Sequence, residues 1–306
     1  MLDNWRACGD LPRQRITRET RLIWDKLKIT LRMIKFEHTV FALPFALIAA
    51  LLAQGGLPGP WQLVWIVGAM VGARSAAMTF NRIVDYSYDI ANPRTKNRAL
   101  PAGALSMSFA VAFTIAMSTL FVVSAGLLNP LCFYLSFPTL AILFSYSYTK
   151  RFTSLCHIGL GFAIGLAPLG AWLAIRGSFG FAPIILGSAV TLWIAGFDII
   201  YACQDLNFDR QARLFSIPSR WGTTRALQIS SALHVATVGL LIVIAGISES
   251  GLIAYSGIGI VAAILYWEHR IVHPDDLSRV NVAFFNLNGY VSLLLLAAFA
   301  TDILWT

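Results

Sequence analysis

The chain has 306 residues, of which 57% are hydrophobic and only 12% charged, with a mean hydropathy of +0.69. Soluble domains carry roughly 25% charged residues, so a water-soluble globular protein is excluded and an integral membrane protein is indicated. The formal charge of +8 fits basic cytoplasmic loops facing anionic membrane lipid, not a nucleic-acid partner.

Residues 1–20 are polar and basic without an apolar core, which excludes a signal peptide and reads as a disordered cytoplasmic tail. The rest, 21–306, reads as a single transmembrane domain. Over 21–35, Ile23, Leu27, Leu31 and Ile34 share one helical face and the cations lie largely elsewhere, as in a helix on the membrane surface. Apolar segments follow at about 36–53, 61–80, 105–128, 130–149, 156–175, 183–203, 223–246, 251–268 and 281–303. Each is near the roughly 20 residues needed to cross a bilayer. Turn residues separate them: Gly55 to Pro60, Asn129-Pro130, Gly177 to Pro183 and Ser248 to Gly251. Pro44, Pro138 and Pro168 fall inside spans and predict kinks. Cys8, Cys132, Cys156 and Cys203 show no paired spacing and read as buried thiols, with no disulfide framework and no zinc site.

With a cytoplasmic N-terminus, every Lys and Arg except Arg176 falls on the inner side, as the positive-inside rule requires. The expected fold is all-α: an integral membrane bundle of nine transmembrane helices, two four-helix halves around a central cavity plus one extra helix.

The polar exceptions are ordered. Asn81, Asp85 and Asp89 recur every four residues at the inner end of the second span, and Arg74 is seven residues before Asn81. This spacing puts all four on one helical face. Two carboxylates and an amide oxygen make a hard-oxygen site suited to magnesium. Arg94, Lys96 and Arg98 follow, donors suited to phosphate. Acids for a metal beside cations for an anion point to a metal-bridged diphosphate. The pattern returns about 120 residues later: Asp198, Asp205 and Asp209, followed by Arg210, Arg213 and Arg220. Four spans separate the copies, so both open on the same side. An apolar cavity there would shield an allylic cation from water once diphosphate leaves. Other titratable groups read as structural: His157 and His234 as packing or interface residues, His269 and His273 as solvated, and Glu268, Asp275 and Asp276 as loop charges.

Asn81-x3-Asp85-x3-Asp89 with Asn92-Pro93-Arg94-Thr95, Arg98 and Leu100-Pro101-Ala102-Gly103 resembles the first motif of the UbiA superfamily of intramembrane prenyltransferases. Asp198-x2-Tyr201-Ala202-x-Gln204-Asp205-x2-Phe208-Asp209-Arg210, with Ser216-Ile217-Pro218, resembles the second, and Tyr146 to Arg151 the short basic loop between them. The entry Ile34 to Pro44 resembles the 4-hydroxybenzoate polyprenyltransferase branch. The resemblance implies magnesium-dependent transfer of a polyprenyl group from polyprenyl diphosphate to an aromatic acid acceptor, in respiratory quinone biosynthesis. The acceptor would be 4-hydroxybenzoate, with a dihydroxynaphthoate of menaquinone biosynthesis as the alternative. The setting implied is a bacterial inner membrane, the active site facing the cytoplasm. By position, Asn81, Asp85 and Asp89 would hold one Mg2+, and Asp205 and Asp209 another. Arg94, Lys96, Arg98, Lys150 and Arg210 would contact diphosphate. Asp198 would face the acceptor, Lys35 its carboxylate, and Arg74 a further anion. Two positions depart from the pattern: Arg82, where many relatives carry a second acid, and Arg213, where glycine is expected. A secondary transporter is the rival reading, since repeats and intramembrane acids also mark transporters. It is disfavoured because the acids sit at helix ends beside cations.

Overall fold

The computed structural model describes residues 24, 26–34 and 41–305, and all of the described secondary structure is helical apart from an isolated bridge between His273 and Asp276. A short helix, α1, spans 26–33. The tail and Lys35 lie outside the described residues. The helices that follow are α2 (Leu43–Gln54), α3 (Pro60–Val84), α4 (Tyr86–Ala91), α5 (Met107–Leu128), α6 (Pro130–Thr149), α7 (Cys156–Arg176) and α8 (Phe181–Ala202). After these come α9 (Leu206–Gln211), α10 (Ile217–Ile247), α11 (Leu252–Ile271) and α12 (Asn288–Trp305). A π-helical turn, Val282–Leu287, leads into α12. Eight described helices are long and apolar enough to cross a membrane; α2 is apolar but shorter, at 12 residues, so the expected count of nine holds only approximately.

The turn chemistry sets the helix ends. Gly55 and Gly177 close α2 and α7 in the left-handed conformation, at φ 67° and 65°, which glycine adopts without strain. Asn129 caps α6 by accepting from the Cys132 N–H at 2.9 Å, and its amide donates to the Leu173 carbonyl at 2.8 Å. Pro138 and Pro168 lie inside α6 and α7 as expected. Pro44 instead sits in the first turn of α2, where its missing N–H costs nothing and its fixed φ favours the helix.

The halves repeat one packing plan: α3 runs along α5 in the first and α8 along α10 in the second, while α2 meets α7 between them. The α7–α8 contact is backbone to backbone. A Cβ on Gly161 would stand 2.2 Å from the Thr191 carbonyl oxygen, and one on Gly165 2.5 Å from that of Gly187. Small residues at four-residue spacing allow this approach, the usual way membrane helices associate where no water drives them together.

Trp193, Phe41, Phe45, Phe197 and Phe284 interlock at the centre. Beside them lies a polar network that corrects three sequence expectations. Glu268 is not a loop charge, because α11 continues past it and buries it completely. Asn288 donates to Glu268 at 2.8 Å and accepts from the Trp193 indole at 2.7 Å. His269 is not solvated in a loop; its Nε2 lies 2.9 Å from Nδ1 of buried His234, which therefore does more than pack. Cys132, Cys156 and Cys203 are free thiols; Cys156 and Cys203 are buried as expected, while Cys132 is only partly buried.

Candidate active site

Both acid motifs are built on the same backbone device. α3 ends at Asp85 (φ −89°, ψ 7°), and the six-residue α4 carries the chain on. α8 ends in a 3-10 turn at Asp205 (φ −98°, ψ 5°), and the six-residue α9 follows. Each first aspartate thus sits in the sparsely populated bridge region, where active-site residues recur. The helical register survives the break. The Asp85 N–H reaches the Asn81 carbonyl at 2.9 Å and the Asp89 N–H the Asp85 carbonyl at 2.8 Å, so the three residues keep one face.

Among the described residues each of the four acids has one cation. Asp85 faces Arg151 at 3.7 Å, Asp89 takes Arg98 at 2.6 Å and Asp209 takes Lys150 at 2.7 Å. Arg94 closes on Asp205 with two nitrogens, Nε at 2.9 Å to Oδ1 and Nη2 to Oδ2, and its Nη1 donates to the Tyr201 hydroxyl at 2.8 Å. Asn92 adds a bond to Asp205 at 3.2 Å. Arg94 and Asp205 belong to different halves, so this fork joins the two motifs. Arg151 anchors on the Val84 carbonyl at 2.7 Å and lies over the rings of Tyr88 and Tyr148. Ser216 Oγ donates to Asp209 Oδ2 at 2.9 Å.

Burial pushes the Asp85 carboxyl above its ordinary value, and the Asp89 charge adds to this, outweighing Arg82, Arg151 and Asn81. Burial works to discharge Lys150, but the Asp209 carboxylate outweighs it and holds the ammonium above the usual lysine value. Burial also pushes the Asp209 carboxyl up despite Lys150 and Ser216, so neither acid is fully offset by its cation.

The donor set fits magnesium. The available ligands are carboxylate and amide oxygens, and Asp89 Oδ2 is buried yet accepts no hydrogen bond among the described residues. The Asn81 amide is turned with Nδ2 toward Asp85 at 2.9 Å and its oxygen toward Arg82 at 3.4 Å.

Lys96 and Arg210 are exposed and pair with none of the four acids among the described residues; Arg210 Nε donates to the Ser219 carbonyl at 3.0 Å. Arg213 stands at φ 54°, the left-handed region that glycine would occupy without strain. The departure therefore strains the loop.

Arg74 lines an apolar cavity of about 330 Å³ between α3, α5, α6 and α7, within the size range of ligand pockets. At the end nearest the acids, lined by Arg74, Ala77 and Tyr146, Ala77 is one helical turn from Asn81 and Arg74 two. On α6 the lining runs from Cys132 to Tyr146, about 21 Å at the helical rise of 1.5 Å per residue.

Sequence spacing did not identify Arg151, Asn92, Tyr201 or Ser216 as partners of the acids, although all four stand in or beside the motifs. His157 was read as packing, yet its Nδ1 lies 2.6 Å from Asp198 Oδ2.

A family model described as the UbiA prenyltransferase family matches residues 42–290. A 4-hydroxybenzoate octaprenyltransferase from Shewanella woodyi is 26% identical over 283 residues, 92% of this chain and 98% of that one. Another, from Methylobacillus flagellatus, is 28% identical over 251 residues, 82% of this chain and 84% of that one. Among solved structures, a UbiA homolog from Aeropyrum pernix K1 is 36% identical, with a TM-score of 0.80 over 88% of this chain and 98% of that one. A UbiA homolog from Archaeoglobus fulgidus bound to GPP and Mg2+ shares the fold at 20% identity and a TM-score of 0.69, over 90% of this chain and 99% of that one.

Proposed function

The chain belongs to the UbiA prenyltransferase family, and we propose that it transfers a polyprenyl group from polyprenyl diphosphate to the ring of 4-hydroxybenzoate at the cytoplasmic face of a bacterial inner membrane. One observation carries this reading. The Arg94–Asp205 fork draws both acid motifs and their cations to one place, beside the inner end of an apolar cavity. The names of the relatives favour 4-hydroxybenzoate over a dihydroxynaphthoate.

Bound magnesium, held by Asn81, Asp85 and Asp89 in one half and by Asp205 and Asp209 in the other, would neutralise diphosphate and make it a better leaving group. Arg94, Arg98, Lys150 and Arg151 turn from the acids to the phosphate oxygens, with Lys96 and Arg210 at the rim. The prenyl tail lies along the apolar cavity. When the allylic C–O bond breaks, both electrons leave with diphosphate, and the dry walls keep water from the cation. Asp198 Oδ1 accepts the acceptor's phenolic hydrogen bond and raises electron density in the ring. The carbon ortho to that hydroxyl attacks the cation, then gives up its proton to the released diphosphate and regains aromaticity. Lys35, or Arg74 at the cavity's inner end, holds the acceptor's carboxylate.

The test supplies membranes carrying the chain with magnesium and a prenyl diphosphate. 4-Hydroxybenzoate, a dihydroxynaphthoate and a phenol without a carboxylate are added separately, and products are read by mass. The expected result is ring prenylation of 4-hydroxybenzoate that chelation abolishes. Product from the naphthoate alone would overturn the benzoate assignment. Equal rates with the carboxylate-free phenol would overturn selection by a cation.

A further inference from the structure

We propose that His157 is a positioning residue that fixes the Asp198 carboxylate for the acceptor. This inference rests on the reading of Asp198 given above. His157 is 2% exposed, in the first turn of α7, and its ring has one partner on each side. The Ile217 N–H donates to Nε2 at 3.3 Å. That nitrogen must then be the acceptor, which leaves the proton on Nδ1, 2.6 Å from Asp198 Oδ2. Ile217 opens α10, so its N–H is one of the helix's unpaired first-turn donors. The start of α10 thus selects the histidine tautomer, and the tautomer holds one oxygen of Asp198.

The other oxygen, Oδ1, accepts no hydrogen bond among the described residues, and the Asp198 side chain is 23% exposed. A carboxylate on an otherwise apolar helix is thereby pinned at one oxygen and offered at the other. Backbone contact between α7 and α8 at Gly161, one turn beyond His157, keeps the two side chains in reach. A packing histidine would need neither partner. A histidine ligating a metal would present a nitrogen to open space, and both nitrogens here are engaged.

His157 also touches the loop that holds Asp209, but that loop has its own supports. Ser216 and Ser219 cap each other, and the Phe215 N–H binds the Lys150 carbonyl at 2.7 Å. Loss of His157 should therefore act on the acceptor and spare the donor.

The test is a double-mutant cycle on His157→Ala and Asp198→Ala, with acceptor kcat/KM and donor KM measured for each chain and His157→Gln alongside. Glutamine supplies one acceptor and one donor, the polarity the site requires. Expected results are a loss of about tenfold in acceptor kcat/KM for His157→Ala, the size of one hydrogen bond to a charged group. Donor KM should stay within about twofold, and His157→Gln should recover most of the loss. In the Asp198→Ala background the histidine change should cost nothing more, since groups acting as a unit are not additive. His157→Leu, which fills the space, replaces His157→Ala if that chain does not accumulate. Equal losses in both backgrounds, a parallel rise in donor KM, or a glutamine variant as impaired as alanine would each overturn the proposal. An Asp198→Ala chain with unchanged acceptor kinetics would overturn the reading of Asp198 itself, and this inference with it.

Discussion

Removing Arg94 should separate two properties that usually fall together. Its guanidinium spans both oxygens of Asp205 and the Tyr201 hydroxyl, and its carbon stands 5.0 Å from the centre of the Tyr201 ring. Breaking a buried pair costs about 3–5 kcal/mol. The two side chains are 32% and 11% exposed, and Asn92 keeps one bond to Asp205, so about 2 kcal/mol is the expected cost of Arg94→Ala. For a chain of this length that lowers the melting temperature by roughly 4 °C. Magnesium should have the opposite effect. In the structure Arg94 engages both oxygens of Asp205, and a bound metal would have to displace it. Without Arg94 the apparent Mg2+ affinity should rise about tenfold, worth about 1.4 kcal/mol of extra stabilisation at a fixed high concentration. Most of the deficit should then vanish, while donor KM rises at least about tenfold for want of a phosphate donor. Arg94→Lys keeps the charge but not the fork, and should recover little of either. The assay is thermal unfolding in detergent across a magnesium titration, with prenyl diphosphate kinetics in parallel. Magnesium stabilising Arg94→Ala less than the unaltered chain would refute the competition. Arg94→Lys indistinguishable from the unaltered chain would refute the fork.

Asp85→Asn, Asp89→Asn, Asp205→Asn and Asp209→Asn should each nearly abolish turnover with folded yield intact, because a neutral amide holds magnesium poorly; near-normal rates in two of the four would sink the paired site. Gly170 lines the cavity, and a Cβ there meets nothing within 4 Å. Gly170→Leu should therefore fold, slow transfer from long prenyl diphosphates severalfold and spare geranyl diphosphate; equal slowing of both donors would remove the tail from this cavity. Cysteines introduced at Ala91 and Gln211 should react with an impermeant label from the cytoplasmic side, and those at Gly56 and Ser250 from the other side only, read by gel shift in oriented vesicles.

The spans were legible because a bilayer tolerates few alternatives. Backbone groups in lipid must be satisfied within the segment, so a segment expected over 105–128 became Met107–Leu128. Expectation failed where burial, not polarity, decides. Glu268 looked like a loop charge because it stands beside His269 and Arg270. α11 runs on to Ile271, and Asn288, 20 residues away, supplies the hydrogen bond that makes burial tolerable. A partner at that distance leaves no mark in local spacing. The same holds for the site. The four-residue spacing of the acids was legible because it is local. The choice of cation for each acid was not, because Arg94 reaches Asp205 across 111 positions and His157 reaches Asp198 across 41.

Arg213 lies between these cases. The motif marked the position as a glycine seat, and its φ of 54° bears that out. A left-handed residue with a side chain costs about 1–2 kcal/mol, so something must hold the turn. The Leu214 N–H closes on the Asp209 carbonyl at 2.8 Å, Phe215 on Lys150 at 2.7 Å, and Ser216 Oγ on the Asp209 carboxylate at 2.9 Å. The loop backbone thus holds the main-chain carbonyls of Asp209 and Lys150, and the Ser216 side chain holds the Asp209 carboxylate. The strain sits where two members of the site are positioned, and strained backbone persists only where its surroundings over-determine it. Helical spacing brings the acids onto one face, and this loop ties the main chain at Lys150 to the main chain at Asp209, the two residues whose side chains then pair at 2.7 Å.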